Sequence, residues 1–314
     1  MNLSEKKHSI GIDLGSSSVK MTLINLLNGE NIDTVTYPQK EMKIESPKKG
    51  WAEQDPKLWW NCVKECFYFL KKRNNLQSVI SIGISYQMHG LVAIDENGDI
   101  LFPSIIWCDS RAIKIGEDAN KKLSKSLISD HLLNSPGNFT ASKLRWVKEN
   151  NLNEYSSIYK FMLPGDYLLF KLTGKLSTTK CGLSEGILWD FENEKISEEL
   201  INFYGIDKNK FPDVVDSFGD QGTLLKENCD EFGLNDNVVI SYRCGDQPNN
   251  AFSLNVLEPG EIAATAGTSA VIYCISDKKI YDQNNRINTF LHCNNSSRKK
   301  RNGILLCING SGIA

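Results

Sequence analysis

Ser9-Ile10-Gly11-Ile12-Asp13-Leu14-Gly15-Ser16-Ser17-Ser18-Val19-Lys20-Met21-Thr22-Leu23 is the stretch whose reading decides the fold. Ser9–Asp13 is a short apolar strand and Gly15–Ser18 a turn. Val19, Met21 and Leu23 then alternate with Lys20, Thr22 and Ile24, the period of a second strand. The pattern predicts a hairpin, and Asn28-Gly29 permits a further turn into a third antiparallel strand over Thr34–Tyr37. A turn of glycine and small hydroxyls also aims successive backbone N–H groups at phosphate oxygens, and Asp13 beside it suits Mg²⁺, which takes one or two carboxylates plus water and phosphate. It is not a Walker loop, since no Gly-Lys-[Ser/Thr] ending and no helix follow it. A plain hairpin turn remains the competing reading.

Outward from the hairpin, Asp55-Pro56 starts a helix that covers Pro56–Arg73 with Leu58, Cys62, Cys66 and Leu70 on one face. Val79–Ser85, Leu91–Ile94 and Ile100–Phe102 read as strands, and Ser142–Glu149, Pro164–Leu172 and Ser197–Phe203 as helices. A second apolar series opens at Val238–Tyr242 and continues through Glu261–Ala266, Ala270–Ile275 and Gly303–Ile308. It repeats the first layout, because an apolar strand again runs into glycine and hydroxyls at Gly267-Thr268-Ser269. Two related lobes of mixed α/β structure face one another on this reading. The second is expected to be incomplete, with strands lacking a helix to cover them and an apolar face left open.

The 314 residues, 40% of them hydrophobic, suffice for a sizeable core. With 36 basic and 38 acidic residues the net charge is −2, which provides no global attraction for nucleic acid or an anionic membrane. A small molecule is the expected partner, and a homodimer is compatible with the sequence. Met1–Lys7 is polar, Asp13 interrupts the first apolar run, and no stretch reaches the length of a membrane span, so a cytoplasmic protein is expected. The nine cysteines are scattered apart from Cys62 and Cys66, and read as buried free thiols.

Cys244-Gly245-Asp246-Gln247-Pro248 places an aspartate where a strand enters a helix. It is either the N-cap or a general base that takes a proton from a hydroxyl attacking a γ-phosphoryl group, and the two readings are compatible. Tyr86-Gln87-Met88-His89-Gly90 joins two strands, and His89 is either a satisfied structural residue or a ligand contact. Trp107-Cys108-Asp109-Ser110-Arg111 reads as a structural ion pair, with part of a sugar-site wall as the alternative, and Arg298–Arg301 as a solvated basic loop.

Taken in order, Gly11–Ser17, Gly50–Pro56 with Trp59-Trp60, Gln87–Gly90, Trp107–Arg111, Leu163–Tyr167 with Leu172–Gly174, Gly245-Asp246 and Gly267–Ser269 span nearly the whole chain. They resemble the FGGY carbohydrate kinases, and among these the xylulokinases. The resemblance implies a ribonuclease H-like α/β fold of the actin-like ATPase, sugar kinase and heat-shock 70 class, with MgATP and sugar in the cleft between two lobes. It implies residues 1–245 as the N-terminal sugar-binding lobe and 246–314 as the truncated start of an ATP-binding lobe. Asp246 becomes the catalytic base, and Met88, His89, Asp246 and Gln247 the substrate contacts. Asp13, Gly15, Ser16, Ser17, Lys20, Gly267, Thr268 and Ser269 fall to the nucleotide, with Asp13 also on Mg²⁺. The implied reaction is D-xylulose plus ATP giving D-xylulose 5-phosphate and ADP. Gly245-Asp246-Gln247 is also similar to glycerol kinases, whereas Gln87-Met88-His89 resembles the xylulokinase substrate loop. A glycerol- or ribulose-directed kinase and a catalytically dead sugar-binding remnant stand as alternatives, and the 314-residue polypeptide alone is expected to turn over little.

Overall fold

The computed structural model describes residues 7–266 and 269–309. The opening hairpin forms as read: β1 (His8–Leu14) pairs antiparallel with β2 (Val19–Asn25), and β2 with β3 (Asn31–Tyr37). The chain then enters α1 (Pro56–Arg73), where the Asp55 Oδ1 accepts the Lys57 N–H at 2.9 Å. Its buried face is Trp59, Cys62, Val63, Cys66, Phe67 and Leu70, while Leu58 is half-buried at the margin. The helix packs against β2 and β3, so the alternating Val19, Met21 and Leu23 end fully buried.

The returning strand β4 (Val79–Tyr86) lies parallel to β1. Next come the helices α2 (Thr140–Asn150), α3 (Pro164–Thr173) and α4 (Lys180–Glu185). The strand β5 (Val239–Gly245) lies parallel to β4 and completes a sheet of order β5-β4-β1-β2-β3. Three antiparallel strands followed by two parallel ones make the sheet that the ribonuclease H-like reading requires. One expectation changes: Val238–Tyr242 does not open the second layout. Val238 and Ile240 are fully buried in the same core as β4, so this strand covers the β4 edge instead.

After α5 (Asp246–Ser253), a second sheet is formed by β6 (Ile262–Ala266), β7 (Ser269–Ser276), β8 (Asn288–Leu291) and β9 (Asn302–Asn309). It is antiparallel with order β6-β7-β9-β8. One face is covered, because Tyr273, Ile275, Phe290 and Leu305 bury beside α4 and α5. On the other, Ile262 is 60% and Ile272 37% exposed, the open apolar face foreseen for these strands.

Smaller departures follow from pairing. Val92–Ile94 leaves the main sheet to pair with Lys160–Met162, and Ile100–Phe102 contributes only a single bridge, Ile94 to Ile100. None of the nine cysteines, all among the described residues, forms a disulfide, but Cys108 and Cys307 are exposed and Cys274 is half-buried. In the basic loop Arg301 is buried and paired with Glu258, while Arg298, Lys299 and Lys300 are exposed. Among the described residues no helix is long and apolar enough to cross a membrane.

Candidate active site

A cavity of about 530 Å³ lies where the two sheets meet. The β1–β2 turn supplies Asp13, Gly15, Ser16, Ser17, Ser18 and Lys20; the loop after β4 supplies Gln87, Met88 and His89; the start of α5 supplies Asp246 and Gln247. Val271, Asn288, Leu305 and Cys307 of the second sheet close the far side, and Trp107, 53% exposed, stands at the rim. Residues far apart in sequence thus meet because β1, β4 and β5 are adjacent strands that end at the same edge. Gly267 and Thr268 lie outside the described residues; Ser269 is the first residue of β7.

Gly245 is the N-cap of α5 and Asp246 its first helical residue, so Asp246 does not cap the helix. A carboxylate in the first helical turn is favoured by the helix dipole. Burial, helped by the Asp13 carboxylate and opposed by hydrogen bonds from Gln247, lifts the Asp246 carboxyl to about 7. A group poised there releases and accepts protons near neutral pH. Asp13 itself is exposed to the cleft. Among the described residues no three potential metal ligands cluster. That donor set suits an ion that draws most of its ligands from water and phosphate, as Mg²⁺ does.

The turn and the loop are fixed to one another. Gly15 N–H donates to the Ser18 carbonyl at 3.0 Å, closing the turn, and Gln87 N–H donates to the Leu14 carbonyl at 2.7 Å. Gln54, fully buried, donates Nε2 to the Ser16 carbonyl at 2.7 Å. Its Oε1 accepts Gln87 Nε2 at 3.1 Å and the Trp59 indole N–H at 3.0 Å. The strand that leads into Asp246 is anchored through Arg243, whose guanidinium pairs with Asp166 at 3.0 Å, both side chains fully buried, and donates to the Ser177 carbonyl at 3.0 Å. Gly245 admits no side chain, since a Cβ there would stand 2.4 Å from Glu185 Oε2 and 2.5 Å from Met88 Cγ.

Both readings of the Trp107–Arg111 stretch leave a trace, since Asp109 and Arg111 form a buried ion pair while Trp107 lines the cavity. Arg111 bonds Asp109 and Glu53 at 2.7 Å each and stacks on Trp51, and Asp109 accepts the Ala52 N–H at 2.7 Å. Val271, Asn288, Leu305 and Cys307 line the cavity with no sequence signal to mark them, and three further residues support the site equally unmarked: Gln54, Lys143 and Glu185. Gln54 sits in the quoted Gly50–Pro56 motif but was assigned no part, and nothing in the local pattern distinguishes the other two from ordinary helix residues.

The family profile of FGGY carbohydrate kinases, N-terminal domain, matches residues 8–253. The chain belongs to the FGGY family of carbohydrate kinases. It is 29% identical over 285 residues to a xylulose kinase from Staphylococcus xylosus, covering 90% of this chain and 58% of that protein. The structure resembles a crystal structure of a xyloylose kinase from Brucella ovis with a TM-score of 0.87 and 26% identity, over 96% of this chain and 61% of that one. It resembles a gluconate kinase from Lactobacillus acidophilus as closely in fold, with a TM-score of 0.88 and 24% identity over 98% of this chain and 61% of that one. The chain thus spans somewhat over half the length of the curated relatives it matches.

Proposed function

We propose that this chain forms the sugar-binding lobe and the start of the nucleotide-binding lobe of an ATP-dependent ketose kinase, acting on D-xylulose to give D-xylulose 5-phosphate. The observation that carries the reading is Asp246, a carboxyl poised at about 7 in the same cavity as the Gly15–Ser17 turn and the Met88–His89 pair. Asp246 takes the proton from the sugar hydroxyl as it attacks the γ-phosphoryl group of ATP. Asp13 would hold Mg²⁺, which would supply positive charge for the phosphate groups, and Gly15, Ser16, Ser17 and Lys20 would bind the phosphates from one side. Gly267, Thr268 and Ser269 take the other side, and Met88, His89 and Gln247 contact the sugar. Residues 1–245 would act as the sugar lobe and 246–314 as part of the nucleotide lobe, in the cytoplasm.

Support for a ketose comes from the curated relatives, which are xylulose kinases at 26–30% identity, and from the Met88–His89 loop. The fold alone does not choose the sugar, because a gluconate kinase matches it equally well. Gln247 keeps a glycerol-directed kinase as the second reading. Calorimetric titration of the chain with D-xylulose, D-ribulose, glycerol and gluconate, paired with MgATP-dependent ADP release, tests the proposal. D-xylulose is expected to bind most tightly; preference for glycerol or gluconate would replace the substrate, and absence of binding by any of them would remove the sugar site.

A further inference from the structure

His89 adopts φ of 61°, the left-handed region, uncommon for a residue other than glycine although histidine is among the types that enter it most readily. Three contacts hold it there. The backbone N–H of His89 donates to Glu185 Oε1 at 3.2 Å, and the ring Nδ1 meets the Glu185 carbonyl oxygen at 2.9 Å. The His89 carbonyl accepts the Lys143 ammonium at 2.8 Å, and Lys143 also donates to the Ile106 carbonyl at 2.9 Å. Phe139 and Phe290 flank the ring at centroid distances of 4.8 and 5.4 Å.

The Nδ1 contact fixes the tautomer. A carbonyl oxygen only accepts, so Nδ1 carries the proton, and in a neutral imidazole Nε2 is then a bare acceptor. The ring is neutral: burial, joined by the Lys143 ammonium, brings it down to about 3 against the opposing bond to Glu185. His89 lines the cavity, and Nε2 has no partner among the described residues. Glu185 behaves as a neutral acid as well, because burial, together with the Asp246 and Asp166 carboxylates, pushes its carboxyl far up. Its second oxygen lies against Gly245, so one side chain touches both the sugar loop and the residue before Asp246.

We propose that Glu185 and Lys143 are positioning residues that lock His89 as the Nδ1–H tautomer with Nε2 turned to the cleft, a fixed acceptor selecting a substrate that presents a hydroxyl donor there. A carbonyl or ether oxygen at that place would meet a lone pair and be rejected. The inference rests on the reading of the cleft as a sugar site.

The test is a long-range ¹H–¹⁵N correlation spectrum of the full chain, whose four histidines make assignment direct. His89 is expected to show a protonated Nδ1 and a bare Nε2 from pH 5 to 8; an Nε2–H tautomer overturns the proposal. Glu185→Gln keeps a neutral acceptor and should keep both that signature and the D-xylulose affinity. Glu185→Leu keeps the backbone carbonyl that accepts Nδ1–H, and so the signature, but loses the bond to the His89 N–H and should weaken binding about tenfold, near the net worth of one buried hydrogen bond. A Glu185→Leu chain that is folded and binds D-xylulose as tightly as the parent overturns the proposal, as does loss of that affinity in Glu185→Gln. If Glu185→Leu does not fold, Lys143→Met removes the bond to the His89 carbonyl and should weaken D-xylulose binding to a like extent; a folded Lys143→Met chain of unchanged affinity overturns the proposal. The expected tautomer with no affinity for any sugar or polyol overturns the sugar-site reading alone.

Discussion

Asp13 and Asp246 share one cleft, and burial together with the Asp13 carboxylate keeps the Asp246 carboxyl near 7. An unfolded aspartate titrates at about 3.9, so the native chain holds this proton more tightly. The stability Asp246 contributes is therefore fully present below about pH 4 and is lost as the pH rises through about 7. Asp246→Asn removes that loss. Its melting temperature is expected to exceed that of the parent at pH 8, with the gap closing toward pH 4; a gap independent of pH would show that Asp246 is not elevated.

The same substitution addresses the proposed chemistry. In a full-length protein that carries this lobe, Asn keeps the shape and discards the base, so ketose-dependent ADP release should fall about 10²–10⁴-fold, while D-xylulose affinity stays within a few-fold. Turnover that survives would move the base elsewhere.

The Arg243–Asp166 pair is wholly buried. Breaking it by Arg243→Met leaves Asp166 without its cation and is expected to cost about 3–5 kcal/mol in urea unfolding. Arg243→Met with Asp166→Leu should recover much of this, because replacing both partners leaves no orphaned charge. If the single and double variants unfold alike, the pair does not act as a unit.

Gln54 bonds the Ser16 carbonyl, the Gln87 amide and the Trp59 indole. Gln54→Leu strips all three, and each buried polar group left unsatisfied costs about 1–3 kcal/mol. Beyond lower stability, both nucleotide and sugar affinities are expected to drop, as read by separate titrations. Weakening of only one would mean that the turn and the loop are held independently.

Much of the architecture was legible because it rests on local pattern. The alternation through Val19, Met21 and Leu23 fixed the hairpin, and Asp55-Pro56 marked the start of the long helix. Strand pairing was not legible. Nothing in Val238–Tyr242 says whether it joins the first sheet or the second, since a buried parallel strand reads as an apolar run wherever it lies. For the site, Asp13, the Gly15–Ser17 turn, Met88, His89, Asp246 and Gln247 were named in advance, and all line one cavity. Lys143 and Glu185 were hidden because their meaning comes from burial against His89, a contact between segments 54 and 96 positions apart.

The strand that ends at Gly245 is hydrogen-bonded into the first sheet, although the helix it feeds leads toward the second. In any hinge motion that parts the two sheets, the acid and the sugar floor would therefore travel as one body. On the proposed reading, such a motion would change the gap to the second sheet and leave the spacing between base and hydroxyl as it is.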